Sequence, residues 1–179
     1  MMLCRSHGDP HISTFSGHRC DLMGLGVYPL VELPDLTAQS WHCPATQGWD
    51  HASTNVGVAM RAGSDTVTII GDAVTINGLL MPSGTSRFGG LTLVNDGLGS
   101  VRVSADRHGV ALRSIRRATR NIPTGYLQDV EIRTQQQPTA GYNASQCAAE
   151  HGNCMAGVAE GDRLFAPDQV ASLASLCGS

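Results

Sequence analysis

The sequence contains no lysine; all twelve of its basic residues are arginine. Fifteen acidic residues outweigh them, leaving a formal net charge of -3. The chain as a whole therefore has no basic field of the kind that holds nucleic acid. The arginines are scattered except at Arg113, Arg116, Arg117 and Arg120, which read as a solvated strand end or loop; the sharper alternative is a small anion-binding patch. Long apolar runs are also missing. None approaches the roughly 18 residues that span a bilayer as a helix, so no membrane span is expected. The opening Met1-Met2-Leu3-Cys4-Arg5-Ser6-His7 lacks the apolar stretch of a secretory signal. That leaves a cytosolic chain or a piece of a longer secreted precursor. Catalytic signatures are absent as well: there is no G-x-S-x-G, no P-loop, no G-x-G-x-x-G and no H-E-x-x-H. This argues against a conventional enzyme.

What is present begins with sulfur. Cys4, Cys20, Cys43, Cys147, Cys154 and Cys177 are even in number and far apart. The close C-x2-C spacing of zinc sites is missing. Disulfides are the expectation, and with them an oxidising compartment. Six cysteines allow 15 pairings, and the sequence does not choose among them. The sequon at Asn143-Ala144-Ser145 is compatible with an extracellular setting. Seven histidines invite a zinc reading, but their spacing does not support it. His7 and His11 are four apart with Gly8 and Pro10 between them, so a helix is not expected and their side chains need not share a face.

A chain of 179 residues with 41% hydrophobic residues can bury a core. One domain is expected over 1–179, with a β body over 1–135 and a loop and cysteine-bearing segment over 136–179. Short strands follow one another. Val27 to Leu33 alternates. Val56, Val58 and Met60 sit two apart, the strand period. Thr66 to Ile70 and Ala73 to Ile76 lead into Asn77-Gly78, a strong hairpin signal, with Leu79 to Met81 returning. Leu91 to Val94, Val101 with Val103, and Val110 with Leu112 and Ile115 continue the series, with a turn at Asp96-Gly97. Val130 and Ile132 alternate with Glu131 and Arg133, giving one wet face. This predicts a mainly β fold, a β-sandwich of short antiparallel strands. Trp41 and Trp49 flank Cys43 in a polar stretch; one is expected in the core, and the other is either an exposed contact residue or a second core residue. Helix is expected late: a turn within Ser145 to Glu150, and a helix opening at Pro167-Asp168 with Val170, Leu173 and Leu176 on one face.

Cys4 stands three residues before Gly8-Asp9-Pro10-His11. Thr14-Phe15-Ser16-Gly17, Asp21-Leu22-Met23-Gly24 and Tyr28-Pro29-Leu30-Val31 follow. Val74-Thr75-Ile76-Asn77-Gly78-Leu79-Leu80-Met81-Pro82 comes later, and Gly152-Asn153, Asp162, Phe165, Pro167 and Asp168 come near the end. In this order they resemble von Willebrand factor type D domains, with C-x3-G-D-P-H, T-F-D-G, V-x-V-N-G-x-x-V-x-L-P, C-G-N and D-F-x-x-P-D-G. The departures are Ser16 for the T-F-D-G aspartate, Cys20 for a tyrosine, Gly26 for a cysteine and His151 for the C-G-N cysteine. The resemblance implies that Cys4 bridges to the segment near that loop, here Cys154 or Cys147. It also implies calcium, with Asn153 and Asp162 at matching positions. Ser16 and Met155 replace carboxylates that calcium wants, and the alternative is that Asn153 and Asp162 are plain turn residues.

The Gly8-Asp9-Pro10-His11 tetrapeptide carries the most distinctive chemistry. An aspartyl carboxyl can attack its own peptide carbonyl, and proline nitrogen leaves more readily than an ordinary amide. Some type D domains with this tetrapeptide resemble self-cleaving units, in which mild acid breaks the bond and leaves an anhydride on the aspartate. His11, with His7, is the candidate proton source. The plainer reading is a turn that Pro10 and Asp9 stabilise. The expected function is a secreted binding or structural module of an adhesive, matrix- or gel-forming protein, contacting extracellular proteins, glycans or copies of itself. The alternative is self-processing at Asp9-Pro10. A cytosolic protein with free thiols is the third reading.

Overall fold

The computed structural model describes residues 1–8, 10–46, 49–135, 146–148 and 157–177, excluding the side chains of Thr46, Trp49, Asp50, His51 and Glu160. The fold is mainly β, with two antiparallel sheets and one C-terminal helix. The strands are β1 (Met2–Ser6), β2 (His11–Ser13), β3 (Arg19–Asp21), β4 (Gly26–Leu33), β5 (Leu36–Thr46), β6 (Trp49–Ala62), β7 (Asp65–Ile70), β8 (Ala73–Ile76) and β9 (Leu79–Leu80). They continue with β10 (Gly84–Phe88), β11 (Leu91–Asn95), β12 (Ser100–Ala105), β13 (Val110–Ala118) and β14 (Tyr126–Thr134), and α1 spans Pro167–Leu176. One sheet runs β10-β11-β12-β13-β14-β1-β2-β3; the other runs β4 to β9 in chain order. The N-terminal strand β1 thus lies between the last strand and β2.

Period-two burial builds the core. Ile12, Leu91, Leu93, Leu112 and Ile132 of the larger sheet meet Leu30, Leu36, Met60, Ile69 and Ile76 of the smaller one. Each such side chain contributes about 1.5–3 kcal/mol on burial. The expected hairpin turns at Asn77-Gly78 with φ of 51° and 81°, values that suit asparagine and glycine. Asn77 Oδ1 also accepts the Thr66 amide at 2.9 Å. β9 stops at Leu80, one residue short of the expected return to Met81.

Two expectations change. In β13 the inward residue after Leu112 is Ser114, 1% exposed, so strict alternation puts Ile115 on the other face. No strand was expected around Cys43, yet β5 runs through it to Thr46 and β6 begins at Trp49. β5 and β6 form the longest pairing in the fold, from Leu36↔Ala62 to Thr46↔Trp49. Trp41 is buried, while the Trp49 side chain lies outside the described residues. Few β-branched residues mark β5, and tertiary packing on both of its faces supplies what propensity does not.

The C-terminal segment forms a third layer. Phe165 and Leu173 join Val27, Trp41, Cys43, Val56 and Ala59 in a second cluster on the outer side of the six-stranded sheet. Trp41 and Phe165 meet edge to face at 5.4 Å. Gln39 Nε2 donates to the Asp162 carbonyl at 2.9 Å, and Gln39 Oε1 accepts the Leu164 amide at 2.8 Å. Pro167 opens α1 as expected, and the Ala166 amide donates to Gln169 Oε1 at 2.9 Å. A short turn at Gln146–Ala148 matches the one expected within Ser145 to Glu150.

Candidate functional site

Cys4 is bonded to Cys147, 143 residues away, and Cys43 to Cys177, 134 away. Cys20 is also oxidised, and Cys154 lies outside the described residues. Of the two partners expected for Cys4, the structure selects Cys147. The Phe15 amide donates to the Cys147 carbonyl at 2.9 Å, so the covalent bond is reinforced beside β2.

The Gly8-Asp9-Pro10-His11 segment joins β1 to β2. Asp9 lies outside the described residues, but both of its neighbours are held. The Gly8 amide donates to Asp129 Oδ1 at 2.7 Å. The Gly8 carbonyl accepts the Asn55 amide at 2.9 Å, and the Pro10 carbonyl accepts the Leu22 amide at 3.0 Å. A Cβ on Gly8 would collide with the Leu127 side chain, so a larger residue there would have to displace Leu127.

Two side chains that sequence reasoning missed organise this segment. Asn55 is fully buried, and its Nδ2 donates to Ser6 Oγ at 2.8 Å, the His7 carbonyl at 3.2 Å and the Ser6 carbonyl at 3.3 Å. Its Oδ1 has no hydrogen-bond partner among the described residues. Simple alternation from Val58 would send Asn55 to the opposite side of β6. A bulge where Trp41 pairs with Gly57 but His42 with Asn55 leaves Val56 extra, and such a bulge re-aims the following side chain. Asp129, on β14, is gripped by Arg117 through Nε at 2.8 Å and Nη2 at 3.0 Å. That two-pronged contact fixes the carboxylate that receives Gly8. The only available signal was that Asp129 shares the wet-face parity of Glu131.

His7 and His11 share a surface after all. Both line an open groove of about 730 Å³ with Arg5, Arg19 and Asp21, because β1, β2 and β3 lie side by side rather than in a helix. His11 Nδ1 is 2.6 Å from Asp21 Oδ1, and His7 Nδ1 is 3.9 Å from Asp129 Oδ1.

Of the calcium candidates, Asp162 is exposed in the short turn Glu160–Asp162, and the hydrogen bonds described for it are made by its backbone, the carbonyl accepting from Gln39 and the amide donating to the Ala159 carbonyl. Asn153 lies outside the described residues, as does the Asn143 sequon. Among the described residues no group of three or more His, Cys, Asp or Glu side chains is arranged to hold a metal ion, and no helix is long and apolar enough to cross a membrane. The Arg113 to Arg117 cluster occupies β13. Arg116 approaches Asp72 at 3.5 Å and lies over the Tyr126 ring at 5.3 Å.

A serine–histidine pair also exists, with Ser40 Oγ 2.8 Å from His42 Nε2. Both are buried, at 0% and 1% exposure, and burial pushes the His42 pKa down to about 3. The pair is a packing contact beside Tyr28, whose ring centroid is 4.8 Å away. No family model matches this chain, and no curated protein matches it.

Proposed function

We propose that this chain is a binding or structural module of the von Willebrand factor type D kind, serving an extracellular adhesive, matrix- or gel-forming protein. The observation that carries the reading is the Cys4–Cys147 bond, which ties the strand before Gly8-Asp9-Pro10-His11 to the distant C-terminal segment. Long-range disulfides suit an oxidising compartment, and the resemblance supplies the role. Intact mass with and without reductant, followed by non-reducing peptide mapping, tests it. A Cys4–Cys147 peptide in freshly isolated protein supports the reading; free thiols at both positions overturn it.

A second reading is favoured by the backbone clamp around Asp9. The Gly8 and Pro10 carbonyls are both fixed, and His7 and His11 stand in one groove. In this reading Asp9 Oδ attacks the Asp9 carbonyl carbon, the bond to Pro10 nitrogen breaks, and an imidazolium proton goes to that nitrogen. Incubation at pH 5–6 then yields two polypeptides that remain joined until Cys4–Cys147 is reduced, and Asp9→Ala abolishes the cut. A chain that stays whole after reduction rejects self-processing and leaves the module reading standing.

A further inference from the structure

The outward face of the eight-stranded sheet gathers the arginines. Strand register puts Arg102, Arg113, Glu131, Arg5, Ser13 and Arg19 abreast on six neighbouring strands, β12-β13-β14-β1-β2-β3. At about 4.8 Å per strand the row spans roughly 24 Å. Arg87, Arg133 and Arg117 share the face by the same alternation. Seven of the twelve basic residues thus lie on one surface of an acidic chain. Three carboxylates accompany them: Glu131 pairs with Arg5 at 3.3 Å and Arg133 at 3.8 Å, Asp129 with Arg117, and Asp21 with His11. Arg19, Arg87 and Arg102 have no ion pair among the described residues. Asp35, Asp72, Asp96 and Asp106 sit on the connections between strands and Asp65 opens β7; of these, Asp96 comes near enough to Arg113 to interact with it electrostatically. A second hollow of about 340 Å³ opens between Arg102, Arg113, Glu131 and Arg133, complementing the groove beside Arg5 and Arg19.

We propose that this face binds a linear sulfated polysaccharide. The proposal names a partner class for the module described above and rests on that reading. Charge complementarity selects a polyanion. The guanidinium fork matches sulfate and carboxylate oxygens in pairs, which an ammonium does not. No Phe, Tyr or Trp stands at the outward positions on this face that the structure describes, so bases would find no large stacking platform. A face six strands broad does not enter a duplex groove as a two-stranded ribbon does. Disulfides suit a compartment of extracellular polymers rather than of nucleic acids.

The test uses the full oxidised chain on immobilised heparin. Retention at 0.15 M NaCl is expected, with affinity falling steeply as salt rises, as for any contact that releases counterions. Arg102→Glu with Arg113→Glu weakens binding at least tenfold. Arg61→Glu with Arg107→Glu, the same charge change off this face, alters it less than twofold. Matching thermal midpoints for the two double variants show that both are folded; if the first fails to fold, Arg19→Glu with Arg87→Glu replaces it. Wild-type chain in the flow-through, or equal loss in both double variants, overturns the proposal. So does equal competition by desulfated polymer or by single-stranded DNA of the same charge. An oxidised, folded chain that passes through heparin overturns the polysaccharide assignment alone, whereas free thiols at Cys4 and Cys147 overturn the module reading with it.

Discussion

On the outer side of the six-stranded sheet, Trp41, Val56 and Ala59 lie under Phe165 and Leu173, while the outer side of the eight-stranded sheet presents Arg5, Arg102 and Arg113 to water. Both sheets share one inner core, so the inner faces are alike. The difference comes from the C-terminal segment, which covers one sheet and is tied to it by Cys43–Cys177. A covered face can be apolar and contribute to stability. An uncovered face must carry charge to stay in solution, and its charge is then free to select partners. The smaller sheet thus carries a second core, and the larger sheet an exposed charged face, which is where the proposed recognition lies.

The sharpest way to break this division is to release the cover. Cys43→Ala with Cys177→Ala removes a constraint on a loop of over a hundred residues, for which chain entropy gives about 3–5 kcal/mol; urea denaturation reads the loss, and an unchanged midpoint would refute a stabilising cover. Phe165→Ala comes next. It empties the contact against Trp41 and is expected to cost about 3 kcal/mol, with a blue-to-red change in tryptophan emission as Trp41 meets water.

A third contrast appears in acid. His42, buried in β5, has a folded pKa of about 3 against 6.5 for the free group. The unfolded chain therefore takes up a proton that the folded chain refuses. Stability is fully present above pH 6.5 and is lost as pH falls toward 3, by about 1.4 kcal/mol per pH unit at most. His42→Gln flattens that slope in a series of denaturation curves, and an unaltered slope would assign the acid sensitivity elsewhere. Smallest of all, Arg113→Ala on the bare face is expected to shift stability by less than about 0.5 kcal/mol. A larger loss would mean that the arginine row is structural rather than reserved for a partner.

Much of the strand content was legible because burial imposes period two on residues that also favour strands. Val101 and Val103, and Val130 and Ile132, alternate as expected, and the Asn77-Gly78 hairpin follows from local backbone preference. The helix at Pro167 was equally readable from its first turn and its apolar stripe. β5 was not, because Gln39, Ser40 and His42 look polar in isolation and are buried only through partners that other segments bring. The candidate site was half legible. Gly8, Pro10 and His11 stood out as a motif, whereas Asn55 and Asp129 did not.

Composition and local pattern by themselves determined a strand-rich chain with one late helix, since propensity, turn chemistry and alternation act between near neighbours. Only the tertiary structure decided which sulfur Cys4 meets, that a bulge beside Val56 turns Asn55 toward Ser6, and that scattered arginines line up on one face. Those outcomes depend on register between strands far apart in sequence, and register is set by the whole packed core rather than by any local stretch.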